Sequence, residues 1–315
     1  MTLPLSGADR ICAVISAYRS PVDLIVRSVE LLAQVERVAI VDDGSHSLNS
    51  LEFDDDRLVL INLPENRGIA SALNVGLQWA SEHGATHVLV LDQDSVVPPD
   101  YVRILHDAMS ARREGGFPVA AVVPGMVEGD VISTIDGGDR PLDPIQSGQL
   151  LLLDAVRAIG TFDERFVIDA VDSEYTLRIR RTGFDLFTVA GTELGHSLGE
   201  LEPLMIAGSH RSVLGRPRYW RYHAPFRTYY MVRNGLALWR LHRRGNVVWL
   251  LRRTAYLVVD VSYTSLASPD RRAQFTAIRH AIRDTVRRRL GRIPAGTLAA
   301  INRHRIYRDN AKEGQ

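Results

Sequence analysis

Four short apolar runs, ICAVISAY, RVAIVDD, LVLINL and HVLVLDQD, are interleaved in the first hundred residues with two longer amphipathic stretches, VDLIVRSVELLAQV and GIASALNVGLQWASEHG. The runs have the length and content of buried strands. The stretches place apolar residues at helical spacing, and the second stops at Gly84. Strands separated by helices predict βαβ units, hence an α/β fold around a largely parallel sheet. Ligands of such sheets bind outside the carboxyl ends of the strands. Three of the runs end in polar residues, Ser16-Ala17-Tyr18-Arg19, Asp42-Asp43-Gly44-Ser45 and Asp92-Gln93-Asp94. These ends are expected to converge on one edge of the sheet.

A chain of 315 residues, 45% hydrophobic, can bury a substantial core. Its net charge of +1 conceals a split: residues 1–200 hold 15 Lys+Arg against 31 Asp+Glu, and residues 201–315 hold 23 against 6. An acidic domain over 1–205 is therefore expected to be followed by a basic, mainly helical region over 206–315. One cysteine, Cys12, excludes a disulfide framework or a cysteine metal cage and favours a reducing compartment. The segment MTLPLSGADR lacks the basic and apolar regions of an export signal, and no apolar run reaches the ~20 residues of a membrane span. The expected location is the cytoplasm.

The Asp92-Gln93-Asp94 triplet carries the first chemistry. On an extended segment, residues two apart face the same side, and two adjacent carboxylates repel unless a cation lies between them. A hard divalent ion, Mn2+ or Mg2+, bound to a diphosphate answers both demands. The structural alternative is a solvated turn before Pro98 and Pro99. A strand ending in DxDS is also similar to haloacid-dehalogenase phosphatases, but these need a downstream lysine. The single lysine here is Lys312.

Six motifs in order, AVISAYRSP, IVDDGS, ENRGIASALNVGLQWA, VLVLDQDS, IQSGQLLLLDAVRAIGTFDERFVIDAVDSEYTLRIRRTGF and GHSLGE, resemble family 2 inverting glycosyltransferases of the GT-A fold. Within that family the bacterial rhamnosyltransferases that use dTDP-L-rhamnose are most similar. The resemblance covers residues 11–200. It implies that Asp42 and Asp43 approach the base and ribose of a nucleotide, with Ser16, Tyr18 and Arg19 lining the same pocket. Asn66 and Arg67 would lie near the nucleotide, Arg67 as a donor to phosphate. Asp92 would contact the nucleotide and, with Asp94, the metal. UDP-galactofuranose and other UDP-sugars use the same frame and remain alternative donors.

In FVIDAVDSEYTLRIRRTGF three acids, Asp169, Asp172 and Glu174, precede or open a helix with Glu174 and Arg178 one turn apart. A helix start favours acids through its dipole, which accounts for Glu174. The resemblance makes Asp172 the general base, with Asp169 as runner-up. His196, after the strand FDLFTVAG, matches a metal-ligand histidine in related galactofuranosyltransferases and would complete the site that Asp94 begins. The family's acceptors imply a growing glycan or a polyprenyl-linked glycan as partner. The arginine-rich segment 220–263, interleaved with aromatic and aliphatic residues, suits either packing on the acidic domain or docking on the inner leaflet of a membrane. No nucleic-acid-binding module accompanies it, and the sequence leaves homo-oligomerisation open.

Overall fold

The structure, a computed structural model, describes residues 9–21, 23–49, 55–135, 137–196, 201–203, 205–206, 209–210, 212–213, 216–217 and 219–305. It divides into two compact units. One comprises Met1–Val167 with Val171–Ser197, the other Ile168–Ala170 with Leu198–Gln315.

The first unit opens with β1 (Ile11–Ala17), α1 (Asp23–Leu31), β2 (Arg37–Asp42), β3 (Leu58–Asn62), α2 (Ile69–Glu82) and β4 (His87–Asp92). It continues through β5 (Ser95–Val96), α3 (Tyr101–Glu114), β6 (Val119–Val127), β7 (Asp130–Val131), β8 (Gln149–Leu152), α4 (Leu153–Ile159), α5 (Val171–Arg181) and β9 (Asp185–His196). The sheet order is β3-β2-β1-β4-β8-β6-β9-β5, with β7 paired to β6. The first four strands are parallel, as the alternation of runs and stretches predicts. The sheet then departs from a purely parallel one, because β8 lies antiparallel between β4 and β6. Its sequence, QLLL, runs directly into α4, so periodicity alone does not separate strand from helix there.

All seven residues of β1 are buried, and Val38, Ala39, Ile40 and Val41 of β2 are fully inaccessible. These continuous apolar runs are what a strand covered on both faces requires. Helix α2 ends at Glu82, two residues before Gly84, whose φ of +74° turns the chain into β4.

The second unit contains three short antiparallel ladders within 201–221, followed by α6 (Pro225–His242), α7 (Val247–Ala267), α8 (Arg271–Val286) and α9 (Ala295–Asn302). Helix α6 carries the segment Tyr229-Tyr230-Arg233-Asn234, for which the sequence supplies no role. Arg233 is fully buried, its guanidinium over the rings of both tyrosines and bonded to the Gly291 carbonyl. The Tyr229 hydroxyl donates to Asp284 at 2.9 Å, and the Ile293 amide donates to Tyr230 at 2.8 Å. The segment is thus the polar core of the helical unit. Helix α7 leaves Val248, Leu251, Val258, Val259, Tyr263 and Leu266 exposed along one face. No helix among the described residues is long and apolar enough to cross a membrane.

Candidate active site at the carboxyl edge of the sheet

Strand register brings the polar ends together. Ser16 is paired with Asp92 across β1 and β4, and Ala17 with Asp42 across β1 and β2. Parallel strands place their carboxyl ends on one edge, so the three sequence motifs meet there.

Asp42 ends β2 and is inaccessible to solvent. Its Oδ1 accepts from the Ser45 amide at 3.1 Å and the Ser45 hydroxyl at 2.6 Å. Its Oδ2 is buried with no hydrogen-bond partner. A buried carboxylate oxygen left unsatisfied costs about 1–3 kcal/mol or more.

Asp43 has a different task. Its Oδ1 accepts from the Arg67 amide at 2.6 Å and its Oδ2 from the Gly68 amide at 2.8 Å. Charge-assisted bonds of this kind contribute about 1.5–3 kcal/mol each and hold the Asn66-Arg67-Gly68 turn against the end of β2. Gly44 permits the approach, since a Cβ there would lie 2.3 Å from the Glu65 carbonyl carbon. Gly68 is equally constrained, with φ +96° and a would-be Cβ 2.4 Å from the Val167 oxygen. Arg67 extends outward and pairs with Glu164 at 2.9 Å, both half-exposed.

The loop after β1 is held by polar side chains of its neighbours. The Tyr18 amide and the Ser20 hydroxyl both donate to Gln93 Oε1 at 2.7 Å. The Arg19 amide donates to the Ser45 hydroxyl at 2.8 Å, with Arg19 at φ +49°. Gln93, the middle residue of the triplet, therefore organises the loop that the sequence expects to line a pocket.

The triplet does not have the extended geometry expected of it. Asp92 is the last residue of β4, Gln93 and Asp94 form a turn, and the chain re-enters the sheet as β5. Pairing of Ser95 and Val96 with β9 supplies the hydrogen bonds that draw the chain into this turn. The alternate-residue argument for the two carboxylates therefore gives way to turn geometry. Asp92 Oδ1 accepts from Gln146 Nε2 at 2.9 Å and from the Ser16 hydroxyl at 3.3 Å, and its amide donates to the Ser147 hydroxyl at 3.0 Å. Gln146 and Ser147 lie in the IQSGQ motif, whose position in the sequence alone does not reveal this contact. The register of β5 and β9 sets His196 opposite Ser95, one residue after Asp94. The side chain of His196 lies outside the described residues.

Helix α5 starts at Val171, so Asp172 and Glu174 occupy its first turn. Glu174 is buried and paired with Arg178 at 2.8 Å, a structural pair of the spacing the sequence shows. Asp172 is half-buried, and its Oδ1 accepts from the Ser173 amide at 2.8 Å. The Ser173 hydroxyl donates to Asp143 at 2.8 Å. Three residues on from Asp143, Gln146 holds Asp92, and three residues reach at most about 11 Å. The 143–147 segment thus ties the start of α5 to the end of β4.

Asp169 belongs to the other unit. Its Oδ1 pairs with Arg227 at 3.2 Å, and its Oδ2 is buried without a partner. Asp169 and Ala170 have φ near +60°, and Asn234 Nδ2 bonds to the carbonyls of Ile168 at 2.8 Å and Asp169 at 2.9 Å. Such backbone costs of order 1–3 kcal/mol per residue and persists only where the surroundings hold it. Asn234 supplies that hold.

Asp92 and Asp94 carry carboxylate oxygens, the donor type that hard cations such as Mn2+ and Mg2+ select, and Asp92 Oδ1 is already shared by Gln146 and Ser16. Comparison with known proteins agrees with this architecture. Residues 12–129 match the family described as Glycosyl transferase family 2. The dTDP-rhamnosyl transferase RfbF of Shigella flexneri is 27% identical over 276 residues, 82% of this chain and 88% of that protein. Among solved structures, S. aureus TarS aligns with a TM-score of 0.55 at 13% identity, covering 96% of this chain and 53% of TarS, about half its length. GalNAc-T7, solved with UDP, GalNAc and Mn2+, aligns with a TM-score of 0.52 at 13% identity, covering 83% of this chain and 59% of that one. At these identities the solved structures share the fold, which is GT-A as the motif order implies.

Proposed function

We propose that this protein, whose residues 12–129 match the family described as Glycosyl transferase family 2, is a glycosyltransferase that moves L-rhamnose from dTDP-L-rhamnose onto a glycan or polyprenyl-linked glycan, with inversion at the anomeric carbon. The observation that carries this reading is the unsatisfied, buried Oδ2 of Asp42 at the carboxyl edge of the sheet. Thymine and uracil present an imide N–H that such an oxygen accepts, whereas cytosine has a bare nitrogen in the same place. The rhamnosyltransferase relative, aligned over 82% of this chain, supports thymidine and rhamnose within that class.

Asp94, with Asp92 and His196, would hold Mn2+ or Mg2+, which supplies charge neutralisation to a departing diphosphate. Asp43 keeps the Asn66-Arg67-Gly68 turn in place beside the base pocket. Arg67, half-exposed, can exchange its Glu164 partner for a phosphate oxygen. Asp172 accepts the proton of the acceptor hydroxyl as that oxygen attacks the anomeric carbon from the face opposite the diphosphate. Asp169, paired with Arg227, positions the loop before α5. The exposed apolar face of α7, with Arg252 beside it, is suited to the surface of an anionic bilayer, where a polyprenyl-linked acceptor resides.

The test is a donor panel. The protein is incubated with Mn2+, a polyprenyl-linked glycan acceptor and, separately, dTDP-L-rhamnose, UDP-galactofuranose and UDP-GlcNAc, and glycosylated product is read by mass and by the anomeric coupling of the new linkage. The proposal requires a rhamnosylated, inverted product with the first donor. Product from a UDP-sugar alone overturns the assignment of the donor.

A further inference from the structure

At the opposite end of β4 from Asp92, the first unit gathers a second set of ligand atoms. Asp9, His87 and His106 each direct one oxygen or nitrogen into a group whose members lie within 4.8 Å of one another. His87 is the first residue of β4, His106 lies on α3, and Asp9 leads into β1. The two histidines are buried, their rings 5.2 Å apart and edge to face, and the Asp9 side chain is 28% exposed.

His87 is hydrogen-bonded at one ring nitrogen and not at the other. Thr86 Oγ1 donates to the Arg10 carbonyl at 3.1 Å and accepts from the Arg10 amide at 2.9 Å. The Arg10 carbonyl also accepts from the Thr86 and His87 amides at 2.8 and 3.2 Å, so the Thr86 hydroxyl can serve either that carbonyl or His87 Nδ1, which lies 2.8 Å away. Nε2 of His87 is buried with no partner in either tautomer, and a metal bound there would select the one in which Nδ1–H donates to Thr86. Burial holds this imidazole neutral, pushing its pKa down to about 4. A ring N–H anchored to an outer acceptor with the other nitrogen free is the arrangement of a metal-ligating histidine.

His106 completes the pattern. Its Nε2 lies 3.0 Å from Asp9 Oδ2, while its buried Nδ1 has no hydrogen-bond partner and stands 3.6 Å from Asp107 Oδ1. Ligands about 2.0–2.1 Å from a tetrahedral ion are about 3.3 Å apart, so the His106–Asp9 pair, hydrogen-bonded at 3.0 Å, has to open by only a few tenths of an ångström. Bringing in His87 takes a side-chain movement of about 1.5 Å or less, and Asp9 opens the path from solvent.

We propose that Asp9, His87 and His106 bind a divalent cation of the imidazole-preferring kind, zinc above all, at a site separate from the carboxylate edge where sugar transfer takes place. Two nitrogens and one carboxylate select zinc over Mn2+ or Mg2+, whose preference is for oxygen sets. Bound there, the ion joins the segment before β1, the first residue of β4 and the middle of α3, and satisfies the buried His87 nitrogen that the fold otherwise leaves unpartnered.

The test uses the full chain, freed of metal, with zinc delivered from a chromophoric chelator and binding read as chelator absorbance, and with cobalt in place of zinc read by its visible bands. One equivalent is expected, with tetrahedral cobalt bands, and a hundredfold excess of Mg2+ leaves it in place. His87→Gln and Asp9→Asn are each expected to weaken this equivalent at least tenfold, while Asp94→Asn leaves it unchanged. Asp9→Asn keeps a hydrogen-bonding partner for His106 on the more open side, so it reports even if His87→Gln fails to fold. Zinc binding that is absent in the wild type, or undiminished in Asp9→Asn, overturns the proposal. Loss of the equivalent in Asp94→Asn also overturns it, by assigning the ion to the other edge.

Discussion

The two ends of β4 hold opposite ligand chemistries. At its start His87 has a buried, unpartnered imidazole nitrogen beside His106 and Asp9. At its end Asp92 presents a carboxylate held by Ser16 and Gln146, followed by Asp94 in a turn. The six residues of one strand thus join a nitrogen-rich cluster to an oxygen-rich edge. In a parallel sheet the chain enters at one edge and leaves at the other, so a strand delivers its first and last residues to different surroundings. The difference teaches that a carboxylate's role depends on what its neighbours have already satisfied: Asp43 accepts from two backbone amides, and Asp42 has one buried oxygen without a partner.

The sharpest separation of the two ends is catalytic. Asp172→Asn retains size and an acceptor for the Ser173 amide but cannot take a proton at neutral pH, so kcat is expected to fall by about 10² to 10⁴ with donor affinity nearly kept. His87→Gln, at the far end, is expected to leave kcat within about twofold. Steady-state rates and donor titrations of both variants decide it. A large catalytic loss from His87→Gln, or a pure KM effect from Asp172→Asn, would erase the distinction.

Between the two ends the sheet should be dry, and Cys12 reports on that. It pairs with Val88 in β4, and burial, with the Glu36 charge secondary, pushes its thiol up to about 11. A raised thiol pKa means less thiolate at any pH below it, so alkylation at pH 8 should be about a hundredfold slower in the folded chain than in urea. Mass spectrometry against time measures this, and equal rates would show that water reaches the interior between the two sites.

Backbone effects are smaller. Gly68→Ala forces a side chain into φ +96° and against the Val167 carbonyl, and about 1–3 kcal/mol of stability should be lost. Urea unfolding gives the loss. Donor affinity should fall with it, because the same residue's amide is held by Asp43, whereas zinc affinity at the other end should not change.

The smallest effect lies outside both ends. On vesicles containing phosphatidylglycerol at low salt, Leu251→Ser should weaken sedimentation of the protein about fivefold to tenfold, the partial burial of one leucine. Sedimentation insensitive to this substitution would remove α7 from the membrane reading.

Much of the carboxyl edge is legible in the sequence because each strand carries its own polar terminus and register does the rest. The continuous runs of β1, β2 and β4 announce buried parallel strands, and the Glu174–Arg178 spacing announces its ion pair. What escapes is set by distant partners. The turn at Gln93 and Asp94 depends on β9, about a hundred residues away, and the hold on Asp92 depends on Gln146. Asp9, His87 and His106 share no local pattern, since α3 and the chain before β1 meet only in the folded unit. The Tyr229 to Asn234 segment is equally silent in sequence, because its partners, Gly291, Ile293 and the carbonyls of Ile168 and Asp169, are supplied by other parts of the helical unit.

The most direct measurement of the central claim is calorimetric titration of dTDP into the protein with and without Mn2+, repeated with Asp94→Asn. If the carboxylate edge is a metal-assisted nucleotide-sugar site, Mn2+ tightens dTDP binding at least tenfold in the wild type, about 1.4 kcal/mol, and has no such effect in Asp94→Asn. An equal response to Mn2+ in both proteins, or no dTDP binding in either, contradicts it.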